Sequence, residues 1–331
     1  MTQSRQSQIS LIDTPYYHCI SRCVRRAFLC GEDKLTGQSF SHRRQWLAER
    51  MHFLTDVFNI NICAYAIMSN HYHLVLHADI DENQALSDDE VCLRWCQLYR
   101  APLLVDRWIK QQLKTQAEKD VALQIINNWR MRLVDISWFM RCLNEFIARK
   151  ANKEDKCKGR FWEGRFKSQA LLDEEALLAC MAYVDLNPVR AKMADSVEAS
   201  EYTSGYERIH GVASNGGVNE NNVDKKPLFG FVGDEHQASP KGIPYSLIDY
   251  LELLDWTGRI LRADKRGAIY AQHPRLLNIL GLEDAAWLEL ASGFGKNYQG
   301  AVGSLDELAL FADHTGKCWI AKKNALRRCL H

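Results

Sequence analysis

Two histidines separated by one residue, His71 and His73, stand in a stretch (HYHLVLH, residues 71–77) whose branched and aromatic residues predict a β-strand. Strand side chains alternate between faces, so both imidazoles point to one side and Tyr72 to the other. Two imidazoles converging in this way suit Mn²⁺, Zn²⁺ or another borderline divalent cation, with open positions for phosphate oxygens. In LLACMAYVDLNPVRAKM, Tyr183 and Asn187 lie four residues apart, the spacing that puts two side chains on one face of a helix. The Asn187 amide oxygen would complete a set of three metal ligands, and the Tyr183 hydroxyl would attack a phosphate polarised by the ion. A free phenol has a pKa near 10, so such a nucleophile needs activation by positive charge. The same residues also fit purely structural roles: His71 and His73 as half-exposed strand residues, Tyr183 as a core ring, and Asn187-Pro188 as a helix stop.

A third feature suits a nucleic acid. Residues 141–170 hold nine Lys or Arg against four Asp or Glu. The cations Arg149, Lys150, Lys153, Lys156, Lys158, Arg160, Arg165 and Lys167 are interleaved with Phe161, Trp162 and Phe166, a mixture that grips a phosphate backbone while stacking bases. Arg22, Arg25 and Arg26, just after the first predicted strand, extend the same candidate surface. Any basic surface must be local, because the whole chain of 331 residues has a formal net charge of only +1.

These residues need a scaffold. A strand is predicted at 16–21 after Asp13-Thr14-Pro15, then a helix at 41–58 with Ser41 as its cap. A hairpin follows, with strands at 59–68 and 71–77 around Ser69-Asn70. A helix at 135–152, capped by Asp135 or Ser137, and a loop at 159–172 leading into a strand come next, then a helix at 173–187 beginning at Asp173. The order β-α-β-β-α-β-α predicts an α+β fold of the ferredoxin-like kind, an antiparallel sheet with helices on one face. Residues 80–132 form a helical insertion. Residues 212–243, rich in Gly, Asn, Ser and Asp, read as a flexible linker between a catalytic domain at 1–211 and a mainly helical accessory domain at 244–331. Within the latter, helices are expected at 245–262 and around 276–282 and 305–311, and the chain ends in a basic stretch, KKNALRRCLH.

The composition, 47% hydrophobic and 25% charged, is that of a globular protein with a sizeable core. No apolar leader and no run of about 18 apolar residues is present, so a cytoplasmic protein without a membrane partner is expected. The eleven cysteines lack a C-x-x-C pair and read as reduced thiols, although Cys19/Cys23 and Cys92/Cys96 leave a zinc-stabilised interaction protein as one reading.

Four segments, YYHCISRCV, AYAIMSNHYHLVLH, GRFWEGRFKSQ and YVDLNPVRA, resemble in order the single-tyrosine HUH transposases, in particular the REP-associated tyrosine transposases. The resemblance spans residues 16 to about 192 and leaves 243–331 outside it; the region 80–132 is longer than a minimal catalytic domain of the family. It implies a Mg²⁺- or Mn²⁺-dependent enzyme acting on single-stranded DNA, often folded as a hairpin, with relatives that include homodimers. His71 and His73 would carry the metal, Asn187 would replace a glutamine that related transposases use as third ligand, and Tyr183 would be the nucleophile. Attack would form a 5′-phosphotyrosine and free a 3′-hydroxyl, conserving the phosphodiester for rejoining. The competing expectation is a transposase-derived DNA-binding regulator without catalysis.

Overall fold

The computed structural model describes residues 8–24, 29–32, 37–214, 227–233, 241–262 and 273–317. The N-terminal half runs β1 (Tyr16–Arg22), α1 (Arg43–Val57), β2 (Ile60–Ile67) and β3 (His71–Ala78). The insertion supplies four helices, α2 (Ile80–Ala85), α3 (Asp88–Cys96), α4 (Leu103–Ile109) and α5 (Gln116–Leu133). Then come α6 (Ile136–Glu154), β4 (Lys167–Leu171), α7 (Glu174–Asp185), α8 (Asn187–Arg190) and α9 (Ser204–Ser214). The C-terminal region adds α10 (Leu247–Leu261), α11 (Arg275–Leu280), α12 (Asp284–Asn297), β5 (Ala301–Val302) and α13 (Leu305–His314).

The molecule is an α+β fold. Strands β2, β3, β1 and β4 lie side by side in that order and pair antiparallel throughout, the arrangement expected of a split β-α-β layout. The fifth strand departs from the expectation of a wholly antiparallel sheet: β5 pairs parallel with β4 at Ala170–Ala301 and Leu171–Val302.

Helices cover both faces of the sheet, not one. On the first face, Tyr17, Cys19, Tyr72, Leu74 and Leu76 pack against Leu47, Met51 and Leu54 of α1 and Phe139, Leu143 and Ile147 of α6. The insertion joins this core: Trp95 of α3 stacks on Trp129 of α5 and meets Phe58 and Trp138 edge-on. Its helices start where local chemistry dictates, with reciprocal capping boxes at Ser87/Glu90 and Thr115/Glu118. Asp135 caps α6 by accepting from the Ser137 and Trp138 amides, whereas Ser41 lies ahead of α1, whose cap position, His42, makes no side-chain cap.

The second face explains why the C-terminal helices are there. Every residue of α7 from Ala176 to Asp185 is buried. A helix apolar all round must be covered on all sides. One side of α7 rests on Ala64, Ala66 and Val75 of the sheet, whose small side chains admit it closely, and the other is covered by Leu253 of α10 and Trp287, Leu290 and Phe294 of α12. The Asp173 carboxylate serves both parts, capping α7 through the Ala176 amide at 2.8 Å and accepting from the Ser304 amide at 2.7 Å. Helices α10, α11 and α12 of the expected accessory domain therefore share one core with α7 and the sheet. Part of the expected linker is also tied down: the Phe229 amide donates to the Ile62 carbonyl, and Phe231 is buried against Tyr250. The basic stretch 322–331 lies outside the described residues.

Candidate active site

The register of β1 against its neighbours assembles the site. Arg22 faces His71, Ile20 faces His73, and His18 faces Gln169 of β4. Directly paired residues share a face, so His71, His73, His18, Arg22 and Gln169 all lie on the α7 side of the sheet. Tyr72 points the other way, into the first core, and donates to the Asn144 Oδ1 of α6 at 2.7 Å. Asn144 in turn donates to Ser21 at 3.0 Å and receives the Trp162 indole N–H on its carbonyl at 2.9 Å. The central residue of the His-Tyr-His motif thus anchors its strand while its neighbours reach the site.

Tyr183 of α7 is brought to His73 and His18. Its ring centroid lies 5.7 Å from that of His73 and 6.1 Å from that of His18, both edge-on. The Arg190 guanidinium sits 3.9 Å from the centre of the Tyr183 ring, a cation–π contact, and donates to the Ser292 carbonyl at 2.8 Å and the Tyr183 carbonyl at 3.2 Å. Tyr183 and Asn187 do not share one continuous helix: α7 ends at Asp185, Leu186 interrupts, and Asn187 opens α8 with Pro188 in its first turn, where proline is tolerated. Asn187 is buried, and its amide nitrogen has no hydrogen-bond partner among the described residues.

The histidines are held neutral. Burial pushes the His71 pKa down to about 4, with the Arg22 and Arg190 charges adding to the effect. Burial likewise depresses His73 far below the ordinary histidine range, assisted by its neighbours His18, His71, Arg190 and Arg22. Nδ1 of His71 meets the Asn70 side-chain oxygen at 2.6 Å, which makes Nδ1 the protonated nitrogen and leaves Nε2 with its lone pair. Nε2 of His73 is buried and has no partner among the described residues. A bare, buried imidazole nitrogen beside a second one fits a divalent cation that takes further oxygens from its substrate; the unpartnered atom of Asn187 is its Nδ2, a donor, so only the Asn187 oxygen could join such a set. Among the described residues no three His, Cys, Asp or Glu side chains are grouped to hold an ion by themselves. The nine described cysteines form no disulfide with one another, and among the described residues none belongs to a group of three metal-binding side chains.

The basic segment lands at the histidine end of β1. Cys23 bridges Trp162, the Val24 amide donates to the Phe161 carbonyl, and the Glu163 amide donates to the carbonyl of Arg22, the residue paired with His71. Arg22, Lys153, Lys158, Arg160, Arg165 and Lys167 are exposed. Arg149 is exposed with Glu145 at 3.4 Å, and Lys150 lies 4.2 Å over the Trp46 ring. Two of the aromatic residues do not serve as expected. Phe161, at 2% exposure, and Phe166, at 8%, are core anchors of this loop, so stacking on nucleobases is withdrawn for these two, whereas Trp162 is half-buried and donates its indole N–H to the Asn144 carbonyl. Arg25 and Arg26 lie outside the described residues. His18, Gln169 and Arg190 are site residues that sequence reasoning missed.

No family model and no curated protein matches the chain. Among solved structures, the chain is similar to a REP-associated tyrosine transposase bound to a REP hairpin. That similarity has a TM-score of 0.37 and 13% identity, over 63% of this chain and 86% of the other. No helix among the described residues is long and apolar enough to cross a membrane.

Proposed function

We propose that the chain cleaves and rejoins single-stranded DNA, with Tyr183 as nucleophile and His71, His73 and Asn187 as the residues that hold a divalent metal, Mg²⁺ or Mn²⁺. The observation that carries this reading is the meeting of the Tyr183 ring, the His73 ring at 5.7 Å and the Arg190 cation at 3.9 Å on one buried polar patch. The Tyr183 oxygen bonds to phosphorus as the bond to the 3′-oxygen breaks; the phenol proton leaves to solvent and the departing 3′-oxygen takes one up. The product is a 5′-phosphotyrosine, and attack by a 3′-hydroxyl reverses the step. A bound divalent cation would supply charge to polarise the phosphodiester and favour the phenolate. Arg190 holds positive charge against the ring, and Arg22 with Lys158 and Arg160 attracts the strand toward the histidines.

The test is a labelled single-stranded hairpin incubated with Mn²⁺ and resolved under denaturing conditions. A covalent protein–DNA band is expected from the wild type and none from Tyr183→Phe; an adduct that survives this substitution removes Tyr183 from the mechanism. A second reading, a DNA-binding regulator without catalysis, is favoured by one observation: Tyr183 is only 8% exposed, because α12 lies over it. Tight hairpin binding with no adduct under Mg²⁺ or Mn²⁺ would select that reading.

A further inference from the structure

We infer that Gln169 and His18 form a positioning relay that fixes the tautomer of His73, holding its proton on Nδ1 so that Nε2 faces the site as a bare lone pair. The inference rests on the metal-site reading above and names two residues that never touch the metal.

The three side chains form a line across three strands. Gln169 Oε1 lies 3.1 Å from His18 Nδ1, and His18 Nε2 lies 2.9 Å from His73 Nδ1. All are buried, at 7%, 1% and 3% exposure, so no bulk water can repair a misplaced proton. A carbonyl oxygen only accepts, so His18 Nδ1 must carry a hydrogen. In a neutral ring the other nitrogen is then an acceptor, and His18 Nε2 can only receive. The hydrogen between the two rings therefore belongs to His73 Nδ1. His73 Nε2, which has no partner among the described residues, is left bare.

The direction of the line is set at its far end. Were the Gln169 amide reversed, its N–H would donate to His18 Nδ1, the His18 proton would sit on Nε2, and His73 would be forced to carry its hydrogen on Nε2. That nitrogen could then bind no cation; the unpaired buried N–H would only change place, since in the observed orientation it is Gln169 Nε2 that has no partner among the described residues. A ligating histidine is commonly oriented by a partner on its second nitrogen, often a carboxylate. Here the partner is an uncharged imidazole backed by an uncharged amide, so orientation is gained without adding negative charge beside Tyr183.

Metal-free protein labelled with ¹⁵N-histidine gives the direct test, since long-range ¹H–¹⁵N correlation reads each ring's tautomer without any substitution. The Nδ1–H form is expected for both His18 and His73. Gln169→Leu removes the terminal acceptor and should mix the His73 tautomers and weaken Mn²⁺ binding about 10-fold or more, followed by electron paramagnetic resonance of Mn²⁺ titrated with a fixed oligonucleotide. Gln169→Glu retains an accepting oxygen and should restore the Nδ1–H form. An Nε2–H form of His73 in the wild type, or unchanged tautomer and Mn²⁺ affinity in Gln169→Leu, overturns the relay. A wild type with both rings in the Nδ1–H form that binds no Mn²⁺ supports the relay and overturns the metal reading instead.

Discussion

Lowering the pH should destabilise this protein through His18 before most of its carboxylates titrate. His18 is fully enclosed, and burial lowers its pKa from 6.5 to about 4, opposed only in part by the Gln169 hydrogen bond. The sign follows from proton counts: between pH 6.5 and 4 the unfolded chain holds a proton on this ring that the folded chain refuses, so stability rises with pH across that window and is lost as pH falls through it. At about 1.4 kcal/mol per pH unit, a depression from 6.5 to about 4 corresponds to about 3 kcal/mol. Structurally, protonation would place a hydrogen on His18 Nε2 directly against the hydrogen on His73 Nδ1, 2.9 Å away. Urea unfolding of metal-free protein at half-unit steps from pH 7 to 4 measures the effect. His18→Gln, which keeps polar atoms but does not titrate, should shed about 3 kcal/mol less over the same range, whatever its stability at pH 7. Carboxylates such as Glu207, held low by His52 and Tyr65 against the cost of burial, titrate in both proteins and cancel in the comparison. Parallel pH profiles for the two proteins, or a His18 resonance titrating near 6.5, would refute the reasoning.

Two further outcomes are expected. A Cβ on Gly295 of α12 would collide with the Tyr183 hydroxyl and lie 2.9 Å from Cζ, so Gly295→Ala should cost about 1–3 kcal/mol in thermal or urea unfolding, and less when Tyr183→Phe removes the nearest atom. The proposed ligands His71, His73 and Asn187 are uncharged, and Arg22 and Arg190 bear on both rings, so Mn²⁺ should bind the free protein weakly and gain about 10-fold in affinity once a single-stranded oligonucleotide supplies phosphate charge. Calorimetric titration with and without DNA checks this, and equal affinities would count against it.

How far the sequence alone reaches depends on whether a feature is local. The strand–helix order through α7 follows from periodicity and turn residues, and its boundaries lie within a few residues of expectation, because apolar spacing and caps such as Asp135 and Asp173 act over a single turn. The helix α12 was not foreseen. Its segment DAAWLELASGFGKN carries glycines in its second half, which weaken a helical reading, yet Gly295 is there because Tyr183 occupies the space of a side chain. The coverage of the second sheet face did leave a local trace: LLACMAYV is apolar on every side, and such a helix needs partners beyond the sheet it rests on.

The site itself divides along the same line. His71 and His73 are legible because strand alternation is a property of three consecutive residues. His18 and Gln169 are not, since each is one polar residue in its own strand and gains meaning only from which strand lies beside which. That β1 lies between β3 and β4 is a consequence of packing two helices and a hairpin around one core, and no spacing within β1 reports it. Arg190 was missed for a different reason. Asn187-Pro188 reads as a terminus, but proline is harmless in a first turn, so the chain winds on and returns a guanidinium to the Tyr183 ring seven residues earlier. Under the proposed function the residues hardest to read from sequence thus take an electrostatic role: they would place positive charge and a defined lone pair around the proposed nucleophile, Tyr183, with no carboxylate in the candidate ligand set, an environment complementary to the phosphate of a DNA strand.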